Sequence, residues 1–361
     1  MPITFNKLTA LAILRAIRTG AAVFPGRRSF TGLTGPNPPA GKHWTRERLL
    51  ERLPDTLGKA LEGKALCVAV PRQQARIKVA GTRNTVYAKQ LPAHSFVGLA
   101  DGVAIPSPEL LFLEMRTELD TLGLALLGME LCGCYSLPWN DAGGPTYGIK
   151  PVSTARKLQG FVGAASRMPG LDRARKAANL VRDNCWSPME APLVAFAGDG
   201  PDGLGYGIGD VIVNRRRNLT DAGPTSKTSR VPDILFEGTT VGINYDGTGH
   251  FDLGRVVEAA VAAGSTGDSG SWAALESAKA KMRSKYADDR RRERDLWVDG
   301  LTIFTATKED LYEAGALDLL MGQVIEAIER TSGRDMSAQR EALRDSERAA
   351  ERQELLKSAL P

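Results

Sequence analysis

The stretch Val231-Pro232-Asp233, followed by Val241-Gly242-Ile243-Asn244-Tyr245-Asp246-Gly247 and then His250, constrains this chain more than any other. It reads as two short strands joined by a tight Glu237-Gly238-Thr239 turn, because Val, Ile and Tyr fill the second segment and Gly247 punctuates its end. Side chains alternate along a strand. Thr240, Gly242, Asn244 and Asp246 therefore share one face, and Val241, Ile243 and Tyr245 share the other. The apolar set suits a core. The polar set, with Asp233 on the neighbouring strand, can converge on a site, and carboxylates so placed match the hard oxygen ligands that Mg²⁺ prefers.

The 361 residues suffice for two or three domains with proper cores. With a quarter of them charged and no low-complexity tract, the chain reads as globular. The apolar run from Leu8 to Val23 is interrupted by Arg15 and Arg18, too short and too charged for a membrane span or a signal segment. No other run approaches such a length, so no membrane partner is expected. Four scattered cysteines, Cys67, Cys132, Cys134 and Cys185, fit a reduced, cytoplasmic setting. Cys132-Gly133-Cys134 lacks the second pair that a zinc site needs and reads as core.

The net charge of +5 hides an asymmetry. Residues 1–100 carry 16 Lys and Arg against 4 Asp and Glu, a balance of +12, while the remainder carries 31 against 38, or −7. A basic module on a mildly acidic body points to a polyanion partner, and DNA is the expected one; cations that merely solubilise a small domain give the same count.

Apolar spacing predicts an amphipathic helix over 3–20, then a Gly/Pro-rich loop through Pro39. Thr45 caps a basic helix to about Leu61 that Pro54 interrupts. Short strands follow at 66–70, 77–79, 85–88 and 103–105. Helices then come at 108–115, 120–134, 153–165 and 170–184, the first opened by Pro108. Ser187-Pro188-Met189-Glu190 is a capping box. Gly203, Gly205, Gly207 and Gly209 have the wrong spacing for a nucleotide loop and lead into the strand 211–213. Beyond His250 the sequence predicts a Gly/Ser-containing stretch, a helix from about Ser271 to Val298, a strand 301–307 and a core helix capped by Thr307. The charged tail from 335 to 358 has little apolar face and reads as solvated. The fold class expected is thus α/β (α+β): a basic helical region over 1–60, a mixed strand/helix domain over 61–185, a three-layer domain over 186–331 and a charged helical tail over 332–361.

This order resembles the PD-(D/E)xK (restriction-endonuclease-like) nuclease superfamily, in the branch near the very-short-patch-repair endonucleases. The positions that carry the resemblance are Glu190, Pro232-Asp233, Asn244-Tyr245-Asp246-Gly247, His250, Asp289 to Arg292, Leu296 to Gly300 and Thr307 to Leu311. Residues 60–185 are similar to the segment preceding such domains in AbiEi-like proteins of the abortive-infection antitoxin family. The resemblance implies a DNA endonuclease using Mg²⁺, in a phage-defence or toxin–antitoxin setting, with Asp233 as main metal ligand and Asp246 as second ligand or water-orienting group. His250 is then the general base or the group that neutralises the leaving oxygen. Arg215, Arg216, Arg217 and Arg292 hold phosphates. Plainer explanations exist: an Asp-Gly turn for Asp246, the capping box for Glu190, a solvated face for the arginines. One departure matters. Asn244 stands where the family has Glu, and a neutral amide oxygen removes a full negative charge from a metal site. The alternative expectation is therefore a non-catalytic DNA-binding regulator of antitoxin type on a degenerate nuclease domain.

Overall fold

The structure, a computed structural model, describes residues 2–24, 35–36, 39, 43–88, 91–99, 102–140, 142–166, 168–200, 205–219, 228–247 and 253–359. It divides into two compact units, Met1–Ala191 and Pro192–Pro361.

The first unit opens with a strand, β1 (Ile3–Thr4), before α1 (Lys7–Arg18). The helix expected from residue 3 starts late because Ile3 and Thr4 pair in parallel with Val103 and Ala104, partners that local periodicity does not reveal. Pro54 separates α2 (Arg46–Leu50) from α3 (Asp55–Leu61), and the Thr45 side chain accepts from the Arg48 N–H as a helix cap. The strands are β2 (Leu66–Val70), β3 (Thr82–Val86), β4 (Phe96–Gly98) and β5 (Val103–Pro106). β4 pairs antiparallel and β1 parallel with β5, while β2 and β3 pair in parallel and a single bridge between Phe5 and Val68 links the two sets. One pleated core therefore joins residues on both sides of position 60.

The strand expected at 77–79 does not form. Asn84 takes both backbone groups of Ile77 through its side chain (2.8 and 3.0 Å), and Thr82 Oγ1 donates to Val79 O (2.6 Å), so the backbone of this segment is satisfied without a ladder. Four helices complete the unit: α4 (Pro108–Met115), α5 (Thr121–Cys132), α6 (Ala155–Ala164) and α7 (Leu171–Leu180), with the small hairpin β6 (Tyr135–Ser136) and β7 (Thr146–Tyr147) between α5 and α6. α1 packs on β2 and α4, and α5 on α7. All four cysteines are free thiols, and Cys67, Cys132 and Cys185 are buried.

Glu114 on α4 is buried, receiving the Tyr87 hydroxyl on one oxygen and the Lys7 backbone N–H (3.1 Å) on the other. Burial pushes its carboxyl up to about 7 against these two bonds, which pull the other way. As pH rises, the unfolded chain therefore releases this proton first. Stability from the group is full below its ordinary value of 4.5 and is lost as pH passes about 7, a change on the order of 3 kcal/mol. The urea midpoint of the unit is expected to fall between pH 5 and pH 8, and Glu114→Met is expected to flatten that dependence. An unchanged slope in the variant would assign it to other groups.

α8 (Glu190–Gly198) crosses the division between the units. The second unit continues with β8 (Val211–Val213), a small hairpin of β9 (Arg217–Asn218) and β10 (Ser229–Arg230), and the expected pair β11 (Ile234–Phe236) and β12 (Val241–Asp246). Two antiparallel helices follow, α9 (Leu253–Thr266) and α10 (Ser269–Val298), and then β13 (Thr302–Thr307). The sheet runs β13-β12-β11-β8, with β8, β11 and β12 an antiparallel meander and β13 parallel to β12 across the helical connection. The β11–β12 turn is tight because Gly238 adopts a positive φ of 70°, where Thr239 N–H returns to Phe236 O (3.2 Å). Gly242 is required by space: a Cβ there would sit 2.4 Å from Ile234 O and 2.9 Å from Ile303 Cδ1.

Leu296 of α10 packs with Ile212, Leu235, Leu301 and Ile303 on one sheet face. The other face, where Val241 and Ile243 are fully buried, is covered by α12 (Ala316–Ser332), giving three layers. Thr307 and Asp310 form a reciprocal capping box at α11 (Lys308–Tyr312), and Gly315, with φ of 79°, breaks the single helix expected there into α11 and α12. α13 (Ser337–Leu343) and α14 (Ser346–Ala359) follow. The tail expected to be solvated is anchored instead. Arg352 lies 4.4 Å over the Tyr206 ring and binds Asp318, and Leu356 is fully buried. Among the described residues, no helix is long and apolar enough to cross a membrane.

Candidate functional site

The site lies on the sheet face that α10 covers. Register pairs Leu235 with both Ile212 and Gly242, so strand alternation carries Asp233 and Asn244 onto this same face. Asp233 and Asn244 are largely buried. Their bonds interlock across the hairpin. The Asp233 backbone N–H donates to Asn244 Oδ1 (3.1 Å), and the Tyr245 backbone N–H donates to Asp233 Oδ2 (2.7 Å). The amide of Asn244 thus closes a backbone donor next to the carboxylate, a neutral structural task that a second carboxylate would perform at the cost of like-charge repulsion.

Between these two side chains the structure inserts its own cation. Arg292, projecting from α10, places Nη2 2.7 Å from Asp233 Oδ1 and 3.0 Å from Asn244 Oδ1, and the same nitrogen donates to Val231 O. Sequence order marks Arg292 as a phosphate contact; the structure turns it inward, against the carboxylate expected to bind metal. Neighbouring pairs fix the helix in that rotation. Arg230, itself buried, spans Asp288 (3.2 Å) and Asp295 (2.7 Å), and Arg217 Nε donates to Asp299 (3.0 Å). These two arginines grip residues 288, 295 and 299, which with Arg292 are spaced by three or four so as to lie on one helix face.

The other expected site residues distribute unevenly. Asp246 shares the strand face of Asn244 but lies two residues further, about 7 Å along the strand, opposite Thr307. Glu190 belongs to the first unit, where its carboxylate accepts from Trp186 N–H (3.0 Å) while its own N–H donates to Ser187 Oγ (3.2 Å). The capping role accounts for it. His250 lies outside the described residues, as does Gly203 of the glycine series. Of the arginine triplet, Arg217 is turned toward Asp299, whereas Arg215 and Arg216 are exposed. The triplet lines a cavity of about 280 Å³ with Asn218, floored by Ile212, Pro232 and Leu235 on the face that also bears Asp233.

Asp233 and Asn244, as placed, do not by themselves fit Mg²⁺. One carboxylate already neutralised by a guanidinium, and one amide oxygen occupied by a backbone N–H and the same guanidinium, leave neither the charge nor the open ligand positions that an octahedral dication needs. Among the described residues, no three His, Cys, Asp or Glu side chains form a metal-ligating group. The chain was compared with family models, with curated proteins and with solved structures, and none of them matches it.

Proposed function

We propose that the second unit is a PD-(D/E)xK-type nuclease fold retained for binding DNA, with its metal seat filled by Arg292. The resulting protein is a non-catalytic DNA-binding regulator of antitoxin type. The observation that carries this reading is the single Nη2 atom shared between Asp233 and Asn244. The strands β11 and β12, the helix α10, the strand β13 and the helix α12 follow one another in the order on which the resemblance rests, which supports the reading. The exposed Arg215 and Arg216 beside the cavity supply phosphate contacts near the hairpin, and the excess of cations over residues 1–100, Arg15 and Arg18 apart because they face Glu130, favours a polyanion partner.

Plasmid nicking with Mg²⁺ and with Mn²⁺ tests it. Wild type is expected to retard DNA on a gel, in a salt-sensitive manner, without cutting it. Metal-dependent nicking by wild type that disappears in Asp233→Ala would overturn the reading and establish an endonuclease using Asp233 and Asp246. Nicking that appears only in Asn244→Glu/Arg292→Ala would support it, because that variant restores the missing charge and removes the internal cation.

A further inference from the structure

α10 has two faces of opposite purpose. At 100° per residue, Asp288, Arg292, Asp295, Leu296 and Asp299 fall on the arc that meets the sheet. On the opposite side, within about 80° of arc, lie the cations Lys279, Arg283, Arg290 and Arg294 and the aromatics Trp272, Tyr286 and Trp297. The aromatics are out in solvent, Trp272 at 51%, Tyr286 at 48% and Trp297 at 75%. Arg283, Arg290 and Arg294 are exposed, and the Arg290 guanidinium sits 5.3 Å above the Tyr286 ring. The stripe spans about 38 Å, from 25 residues at 1.5 Å each.

We propose that this outer face of α10 binds single-stranded nucleic acid, the phosphates on the four cations and unstacked bases on the three rings. This deepens the DNA-binding reading above by naming a surface and a strandedness, and it rests on that reading for the class of partner. Charge complementarity selects a polyanion. The only acidic side chain within the arc is Glu276, paired with Lys279 (2.9 Å), while Glu293 at its margin pairs with Arg290 (2.7 Å). Both are exposed pairs of the kind that phosphate can displace at little cost. The rings select single strands, because a flat side chain in solvent stacks on a base only where the base has left its own stack. A lipid surface would instead require a continuous apolar face, which the interleaved cations break.

The test is fluorescence anisotropy of the full chain with a labelled 20-nucleotide DNA strand, the RNA strand of the same sequence, and the DNA duplex. Expected is a preference for a single strand over the duplex, about tenfold from stacking on two or three rings. The logarithm of affinity should fall with the logarithm of salt with a slope of about −3, from about 0.7 per phosphate over four cations. Arg283→Glu/Arg290→Glu/Arg294→Glu should weaken single-strand binding at least tenfold and flatten the slope, and Trp272→Ala/Tyr286→Ala/Trp297→Ala should abolish the preference. Both variants alter exposed side chains, and unchanged thermal melts confirm their folding. The DNA and RNA arms separate the two sources of the ligand, and tighter binding of either single strand supports the proposal. Equal single-strand and duplex affinity, or single-strand binding that survives charge reversal on α10 and is lost in Arg215→Glu/Arg216→Glu, would overturn it while leaving the DNA-binding reading intact. No binding to any of the three probes would remove both. Binding to vesicles of phosphatidylserine and phosphatidylcholine that the same charge reversal abolishes, with no nucleic-acid preference, would replace the partner with a membrane.

Discussion

Replacing Arg292 with Leu is expected to cost the second unit on the order of 3 kcal/mol. The side chain of Asp233 is only 12% exposed and that of Arg292 22%, so the pair gains more from attraction than a surface pair and somewhat less than one wholly out of water. Once the cation is gone, Asp233 Oδ1 loses its charged donor while its backbone-bonded partner oxygen stays in place, which leaves a negative charge buried with one neutral bond. Removing both charges should be much milder. In Arg292→Leu/Asp233→Asn the amide oxygen still accepts from Tyr245 N–H, and the double variant is expected to recover at least half of the loss. Urea denaturation of the four proteins in the double-mutant cycle measures this, with the unfolding of each unit followed separately. A loss below about 0.5 kcal/mol in Arg292→Leu would mean that water or salt replaces the guanidinium freely, and the internal-cation account would fall with it.

The hairpin that carries this site is legible in the sequence because a strand has a period of two. Once residues 241–246 form a strand, Asn244 and Asp246 must share a face and Val241 and Ile243 must enter the core, as they do. The partner of Asp233 is not legible in the same way. Arg292 lies 59 residues from Asp233, on a helix whose rotation is set by Arg230 and Arg217 gripping Asp288, Asp295 and Asp299. A spacing rule locates the arginine but says nothing about whether it faces solvent or sheet. The same limit explains the helix α9, which the sequence offers only as a Gly/Ser-containing stretch and which packs against α10. In α14, two inward residues, Arg352 and Leu356, sit at i, i+4 among many charges. That stripe is too narrow to stand out as apolar, yet Arg352 finds a carboxylate and an aromatic ring to cover it.

In the first unit the largest effect is expected from Glu130→Leu, on the order of 4 kcal/mol. Glu130 is a single charge inside the apolar helix α5, and its side chain is 1% exposed. Each of its oxygens is used. Arg15 binds both through Nε (2.9 Å) and Nη2 (2.6 Å), while Ser136 Oγ (3.0 Å) and the Leu137 N–H (3.1 Å) donate to Oε1. Arg18, three residues beyond Arg15 and also buried, donates to the backbone oxygens of Glu130 (2.9 Å) and Gly133 (3.2 Å) with the carboxylate 4.0 Å away. One carboxylate therefore compensates two cations of α1 and organises the chain leaving α5. The two arginines that break the apolar run Leu8 to Val23, and so exclude a membrane span on sequence grounds, are the residues that fasten α1 to α5. Leucine preserves the apolar bulk, strands the Arg15 guanidinium and removes the countercharge beside Arg18, which keeps its backbone acceptors, whereas Glu130→Gln keeps the shape and one acceptor and should cost less. Adding Arg15→Leu to Glu130→Leu should return part of the stability, since one buried cation is then removed with its partner. Thermal melts of these four proteins decide the matter. If Glu130→Gln and Glu130→Leu lose the same amount, the neutral hydrogen bonds to Ser136 and Leu137 hold the segment and the charge does not. If Arg15→Leu makes Glu130→Leu worse, the arginine stem contributes by packing, and the ion pair is secondary to it.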